Sequence, residues 1–327
     1  MHRHTKKDRE REILDLVYGF RPPFKVDDCE RPDFVARLTP VDEAFGIEVT
    51  EFFQTESNAR LARIPGYVGG LLGGGGFRHK ADRHGLTVDK IQIMSGGTVK
   101  FSDVPAIVQR VPQASECAAM VSEIIRKKGE KLEAAFQGLR HINLIICDRT
   151  NLLRLLKPSN FYDSYCTEAL RQSLFSSPFR EVYFATSLSV GEVFIPLKML
   201  VALAQFYFFD AFAQARRLLS KNEASGEFMR CFASYLSTIA TDNVYIFGDG
   251  RETGAIYGDT GFFLDAALRL QLRIYSDAPI LGGKAEALSS LVMSDSTIAD
   301  QMRSFQRENK FETNIAFKQR SGDHAAD

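Results

Sequence analysis

One segment limits the fold more than any other. His141–Asp148 (HINLIICD) is a nearly unbroken apolar run. A strand of this kind is buried on both faces, as the inner strand of an α/β sheet is. It follows at once on residues 115–137, where Met120, Ile124, Leu132 and Phe136 recur at helical spacing behind a Ser115 N-cap. A helix feeding directly into a buried strand predicts an α/β layer.

Other elements fall in place around this pair. Residues 9–19 carry Ile13, Leu14, Leu16 and Val17 among charges, a short amphipathic helix ended by Pro22-Pro23. Asp33–Leu38, Gly46–Phe53 and residues 86–94 are predicted strands, the second alternating Ile47 and Val49 with Glu48 and Thr50. Residues 161–175 read as helix. Glu181–Leu188 and Glu192–Leu197 read as a hairpin through Ser189-Val190-Gly191. Beyond Lys198 the character changes: helices over 199–220 and 225–240, then Asn243–Phe247 and Ala255–Leu264 as strands around Gly-Asp-Gly. Ala267–Tyr275 is a third strand or short helix, 284–306 a helix, and the last twenty residues are polar and loose. The expected domains are 1–198 and a helix-rich 199–327. No internal repeat is present.

At 327 residues the chain fits roughly two domains. Lys+Arg and Asp+Glu are both 41, which excludes binding nucleic acid by bulk charge and requires a local basic face instead. Cys29, Cys117, Cys147, Cys166 and Cys231 show no CxxC spacing and read as reduced intracellular thiols. The charged N-terminus has no apolar signal region, and the most apolar stretch, Met199–Phe209, is too short to span a bilayer. The expected location is cytoplasmic, with no membrane partner.

Several local patterns carry little chemistry. The glycines of 66–76 match neither GK[ST] nor GxGxxG and read as a mobile loop, although the basic continuation Arg78, His79, Lys80, Arg83 and His84 suits a DNA-contacting loop. His79 and His84 with Asp82 share no helix or strand face, so they read as solvated. Asp148 ends the apolar strand, either at a ligand site or as a cap for the Asn151 turn. Cys147 reads as core.

One constellation carries more. Pro32-Asp33 opens one strand, and after fourteen intervening residues the next presents Glu48 and Thr50. Positions i and i+2 of a strand share a face, so a hairpin brings Asp33 beside Glu48. Two converging carboxylates repel unless a cation lies between them, and Mg²⁺ suits oxygen ligands with retained waters. Such a cation can activate water and stabilise charge on a phosphodiester.

Pro32-Asp33 with Glu48-Val49-Thr50 resembles the PD-(D/E)XK nuclease superfamily, over roughly residues 10–198. The order helix, strand, strand, strand, helix, strand fits it. The resemblance implies an α/β fold, a restriction-endonuclease-like mixed central sheet flanked by helices, with a C-terminal α+β module. It implies Asp33, Glu48 and the Val49 carbonyl as ligands of Mg²⁺ or Mn²⁺, with Glu30 or Glu12 as a further acid. Thr50 stands where the family has Lys. In the family such a loss is offset by a basic residue from the neighbouring helix, here Lys127, Lys128 or Lys131. Lys128 comes first because it flanks the apolar stripe of Ile124 and Leu132, and Lys131 second.

The expectation is a metal-dependent nuclease acting on DNA, in defence against foreign DNA or in repair. Residues 199–327 would bind substrate, a second copy or a protein partner. The alternative is an inactive nuclease-fold scaffold in a nucleic-acid-processing complex, for which Thr50 speaks. A third reading, a small-molecule enzyme with its site in the C-terminal half, finds no recognisable spacing there.

Overall fold

The computed structural model describes residues 5–18, 24–38, 43–108, 112–132, 139, 141–217, 225–240, 244–248, 253–265, 267–274, 286–287 and 296–308. It begins with α1 (Lys6–Tyr18), then the strands β1 (Phe24–Asp28), β2 (Phe34–Leu38) and β3 (Glu43–Phe52). An insertion follows: α2 (Glu56–Arg63), α3 (Tyr67–Leu72), α4 (Asp82–Gly85), β4 (Thr87–Ser95) and β5 (Thr98–Val108). The core resumes with α5 (Ala114–Leu132), β6 (Ile142–Asp148), α6 (Phe161–Tyr165), α7 (Glu168–Phe175), β7 (Val182–Leu188) and β8 (Gly191–Pro196).

Six of these strands form a mixed sheet in the order β1-β2-β3-β6-β7-β8. β1, β2 and β3 are an antiparallel meander, β3, β6 and β7 run parallel, and β8 folds back on β7. Alternation sends Phe34, Ala36, Phe45, Ile47 and Val49 to one face, where Ile13 and Leu14 of α1 cover them. The other face presents Ile142, Leu144, Ile146 and Phe184 to Val121 and Ile125 of α5, Leu170 and Leu174 of α7 and the helix after β8. Every residue of β6 is consequently buried. The sheet is a mixed central sheet flanked by helices, as expected.

The strand predicted over 86–94 forms, but not in this sheet. It is β4, which among the described residues pairs with β5 alone, in a separate ribbon. The third strand of the meander is β1, which gives little sequence signal because FKVDD has only two apolar residues. An edge strand needs no more than that. Three further expectations are corrected. Residues 66–76 hold α3, whose Tyr67 and Leu71 are buried. The 161–175 helix breaks at Cys166, and Thr167 caps α7 by accepting from the Leu170 N–H. Ala255–Leu264 is a hairpin, not one strand.

The remaining elements are α8 (Leu197–Arg216), α9 (Ser225–Ile239), β9 (Tyr245–Gly248), β10 (Thr253–Tyr257), β11 (Thr260–Leu264), β12 (Leu270–Ile274), β13 (Glu286–Ala287) and α10 (Ser296–Glu308). The strands make a second sheet, β12-β11-β10-β9-β13, antiparallel throughout. Of the helix expected over 284–306, residues 286–287 form the short strand β13 and 296–306 lie in α10, while 284–285 and 288–295 lie outside the described part. Asn243, Tyr275, residues 133–137 and 218–220, and the last nineteen residues lie outside the described part. The 198/199 boundary falls in the first turn of α8. This helix packs on β7 and β8 and shares one apolar cluster with α9, α10 and the second sheet. Among the described residues no helix is long and apolar enough to cross a membrane.

Candidate functional site

β2 and β3 pair with Phe34 opposite Ile47, which puts Asp33, one residue before β2, at the position opposite Glu48. β3 continues to Phe52, past the start of β2, so its edge is open beyond Asp33. Asp33 caps that edge. It is 8% exposed, and its Oδ2 accepts the Val49 N–H at 2.8 Å. In a strand, the N–H and C=O of one residue point to the same side, so the Val49 carbonyl faces the same open edge.

Glu48 lies on the α5 side of the sheet, where Lys128 Nζ sits 2.6 Å from its Oε1. The helical spacing that carries Val121 and Ile125 into the core brings Lys128, three residues after Ile125, to the margin of the covered face. Both side chains are largely covered. Lys128 and Thr50 line a cavity of about 220 Å³, with Lys6, Arg9 and Glu10 of α1 on its other wall.

Glu10 is the acid that α1 brings to the site. It is 7% exposed and ion-paired with Lys6 at 3.0 Å and Lys7 at 3.6 Å. Lys7 also donates to the main-chain carbonyls of Cys29 and Asp33, at 2.9 Å and 2.5 Å. The spacing to Ile13 and Leu14 could have pointed to Glu10, since i+3 and i+4 share its face. Glu30 and Glu12, the acids named from sequence, are exposed. Lys127 is exposed and pairs with Glu123 at 3.3 Å, and Lys131 is exposed. Among the three helix lysines, Lys128 is the one that meets Glu48.

Burial holds the Asp33 carboxyl above its ordinary pKa in spite of the Val49 N–H, and the negative charges of Glu48 and Glu10 push the same way. A cation beside these carboxylates would relieve that repulsion. The donors on offer are oxygens only, two carboxylates and a carbonyl, which fits a hard divalent ion such as Mg²⁺ or Mn²⁺. Among the described residues no group of three or more His, Cys, Asp or Glu side chains gathers to hold a metal.

The secondary candidates have structural roles. Asp148 accepts from Thr150 N–H and Oγ at one oxygen and from Thr186 Oγ at the other, capping the turn at Asn151. Burial pushes the Cys147 thiol up to about 11, and it is a core residue. His79 and His84 are exposed, while Asp82 is fully buried and turned away from them.

Comparisons with protein-family models, curated proteins and solved structures find no match to this chain.

Proposed function

We propose that this protein is a metal-dependent nuclease that hydrolyses phosphodiester bonds in DNA, built on a restriction-endonuclease-like core. The elements α1, β1, β2, β3, α5 and β6 supply the helix, three-strand meander, helix and parallel strand of that core. The observation that carries the reading is Lys128 on Glu48, which lies across from Asp33 in register, with Lys128 lining one cavity with the uncharged Thr50.

Asp33, Glu48 and the Val49 carbonyl would hold Mg²⁺ or Mn²⁺, which lowers the pKa of a bound water and offsets charge on the phosphate. Lys128 would place a positive charge where a strand lysine stands in the motif, orienting the attacking water and facing the developing negative charge. Lys6 and Arg9, on the opposite wall, attract the phosphate into the cavity. Glu10 keeps Lys6 and Lys7 aligned along α1.

A second reading, a nuclease-fold scaffold without activity, draws support from the same contact. An ammonium on Glu48 neutralises that carboxylate without any metal ion. Incubation with plasmid and single-stranded DNA in Mg²⁺ or Mn²⁺ separates the two. Cleavage by the wild-type chain that is lost in Glu48→Ala supports the enzyme. Wild-type chain that cleaves nothing, while still folded, supports the scaffold.

A further inference from the structure

We infer that the insertion between β3 and α5 is the surface that holds duplex DNA against this site, which rests on reading the site as one for phosphodiesters. Residues 56–108 hold seven Lys and Arg against four Asp and Glu, within a chain of zero net charge. The fold sharpens that excess. Asp82, the one acid in the segment Arg78–His84, is drawn inward. It accepts from Ser57 Oγ at 2.7 Å, Tyr67 Oη at 2.7 Å and the Arg60 guanidinium at 2.6 Å. Arg78 lies over the Tyr67 ring and donates its N–H to Tyr67 Oη. Arg78, His79, Lys80, Arg83 and His84 are thereby all left on the surface. Among the described residues Lys80 and Arg83 have no carboxylate partner. A fixed cationic surface with its counter-acid buried is complementary to a polyanion.

The ribbon supplies the shape. Its base packs through Ile107 on Tyr67, Leu71 and Leu86, so it is anchored to the same module. Beyond that base every residue of β4 is exposed, and Ile91, Ile93, Met94, Val99 and Phe101 face solvent. Gly96 and Gly97, with φ of +58° and +76°, make the tight turn. β5 has two more residues than β4, at register shifts near Gln92 and Lys100, and Asp103 takes φ +56° there. Such bulges increase right-handed twist. A twisted two-stranded ribbon fits the major groove of B-form DNA, roughly 12 Å wide, where thymine methyls offer apolar contacts. The deep, narrow major groove of an RNA duplex does not admit it. Arg63 of α2 joins this surface to the site, since it lines the same cavity as Lys128 and bonds Glu51 of β3 at 3.0 Å.

The test is fluorescence anisotropy of the full chain with short labelled DNA and RNA duplexes in metal-free buffer, where binding is read without hydrolysis. The Lys80→Ala/Arg83→Ala variant should bind DNA more weakly whatever its sequence, with the log–log salt slope smaller by about 2. The Ile93→Ser/Phe101→Ser variant should bind the DNA duplex at least ~10-fold more weakly and remove the preference over RNA. Both changes are at exposed positions, so melting temperatures should match wild type. Unchanged affinity and slope in the basic variant overturn the inference. A ribbon variant that only loses self-association overturns it as well and makes the ribbon an interface between copies. If no duplex is cleaved in Mg²⁺ yet these shifts appear, the nuclease reading fails and the binding surface stands.

Discussion

At the scale of single residues, the site depends on which lysine of α5 looks inward. Lys128 and Lys131 are one turn apart in sequence, yet only Lys128 reaches Glu48. We expect Lys128→Ala to lower the cleavage rate by ~10²–10³-fold, the usual effect of deleting one preorganised group that stabilises transition-state charge. Lys131→Ala should cleave as wild type. The pair keeps partial contact with water, so its contribution to stability is about 1 kcal/mol or less and the melting temperature should barely move. Kinetics and thermal melting of the two variants check both parts. Full activity in Lys128→Ala would return the role of the missing strand lysine to another group.

At the scale of elements, the insertion has its own small core and its own polar hub. Arg60 and the hydroxyls of Tyr67 and Ser57 hold the Asp82 carboxyl well below the usual carboxylate range. A depressed acid contributes stability that is present above its unfolded pKa and lost as pH falls through the folded one. Acid should therefore loosen residues 56–108, at a pH below the ordinary carboxylate range. Asp82→Asn should loosen them at neutral pH, because it removes the charge that Arg60 meets. Hydrogen exchange should then rise across α2, α3 and β5 while β3 and β6 stay protected. Equal loss of protection in the central sheet would show that the insertion is not an independent unit.

At the scale of the whole molecule, the two sheets are joined at buried polar contacts. Asp259, in the turn between β10 and β11, pairs with Arg180 and accepts from Asn143 Nδ2 at 2.5 Å and Tyr183 Oη at 3.2 Å. Gly258 in the same turn has φ +60°, and a Cβ there would lie 2.4 Å from the Arg180 carbonyl. Gly258→Ala should thus destabilise by more than the ~1 kcal/mol of backbone strain alone, with a lower urea midpoint. Next to this turn, Glu181 accepts N–H groups of Val182, Lys198 and Met199 at 2.8–3.1 Å. Burial still pushes its carboxyl up to about 8, with the charge of Asp259 acting in the same direction. A raised acid contributes stability that is present below its unfolded pKa and lost as pH rises through the folded value. Melting temperature should fall as pH rises from 4.5 to about 8, and Glu181→Gln should flatten that fall. A cut at Lys198 would strip α8 from β7 and β8 and expose Leu200, Val201 and Phe206, all fully buried. Residues 1–198 alone should aggregate on expression.

Sequence pattern alone determined the parts that local periodicity controls. The apolar run of β6, the helical spacing of α5 and the i, i+2 pair Glu48 and Thr50 follow from side-chain direction along a strand or helix. So does the place of Lys128 at the margin of the apolar stripe, because its distance from that stripe is a property of the helix itself. Tertiary structure decided what depends on distant partners. β1 joins the meander because β2 offers it an edge, and 86–94 stays outside because its partner is the neighbouring β5. Glu10 lines the cavity with Lys128 because α1 packs across Phe34 and Ile47, a contact between segments more than twenty residues apart. Pairing and packing of that kind are set by which surfaces meet. The residues of either segment do not encode it alone.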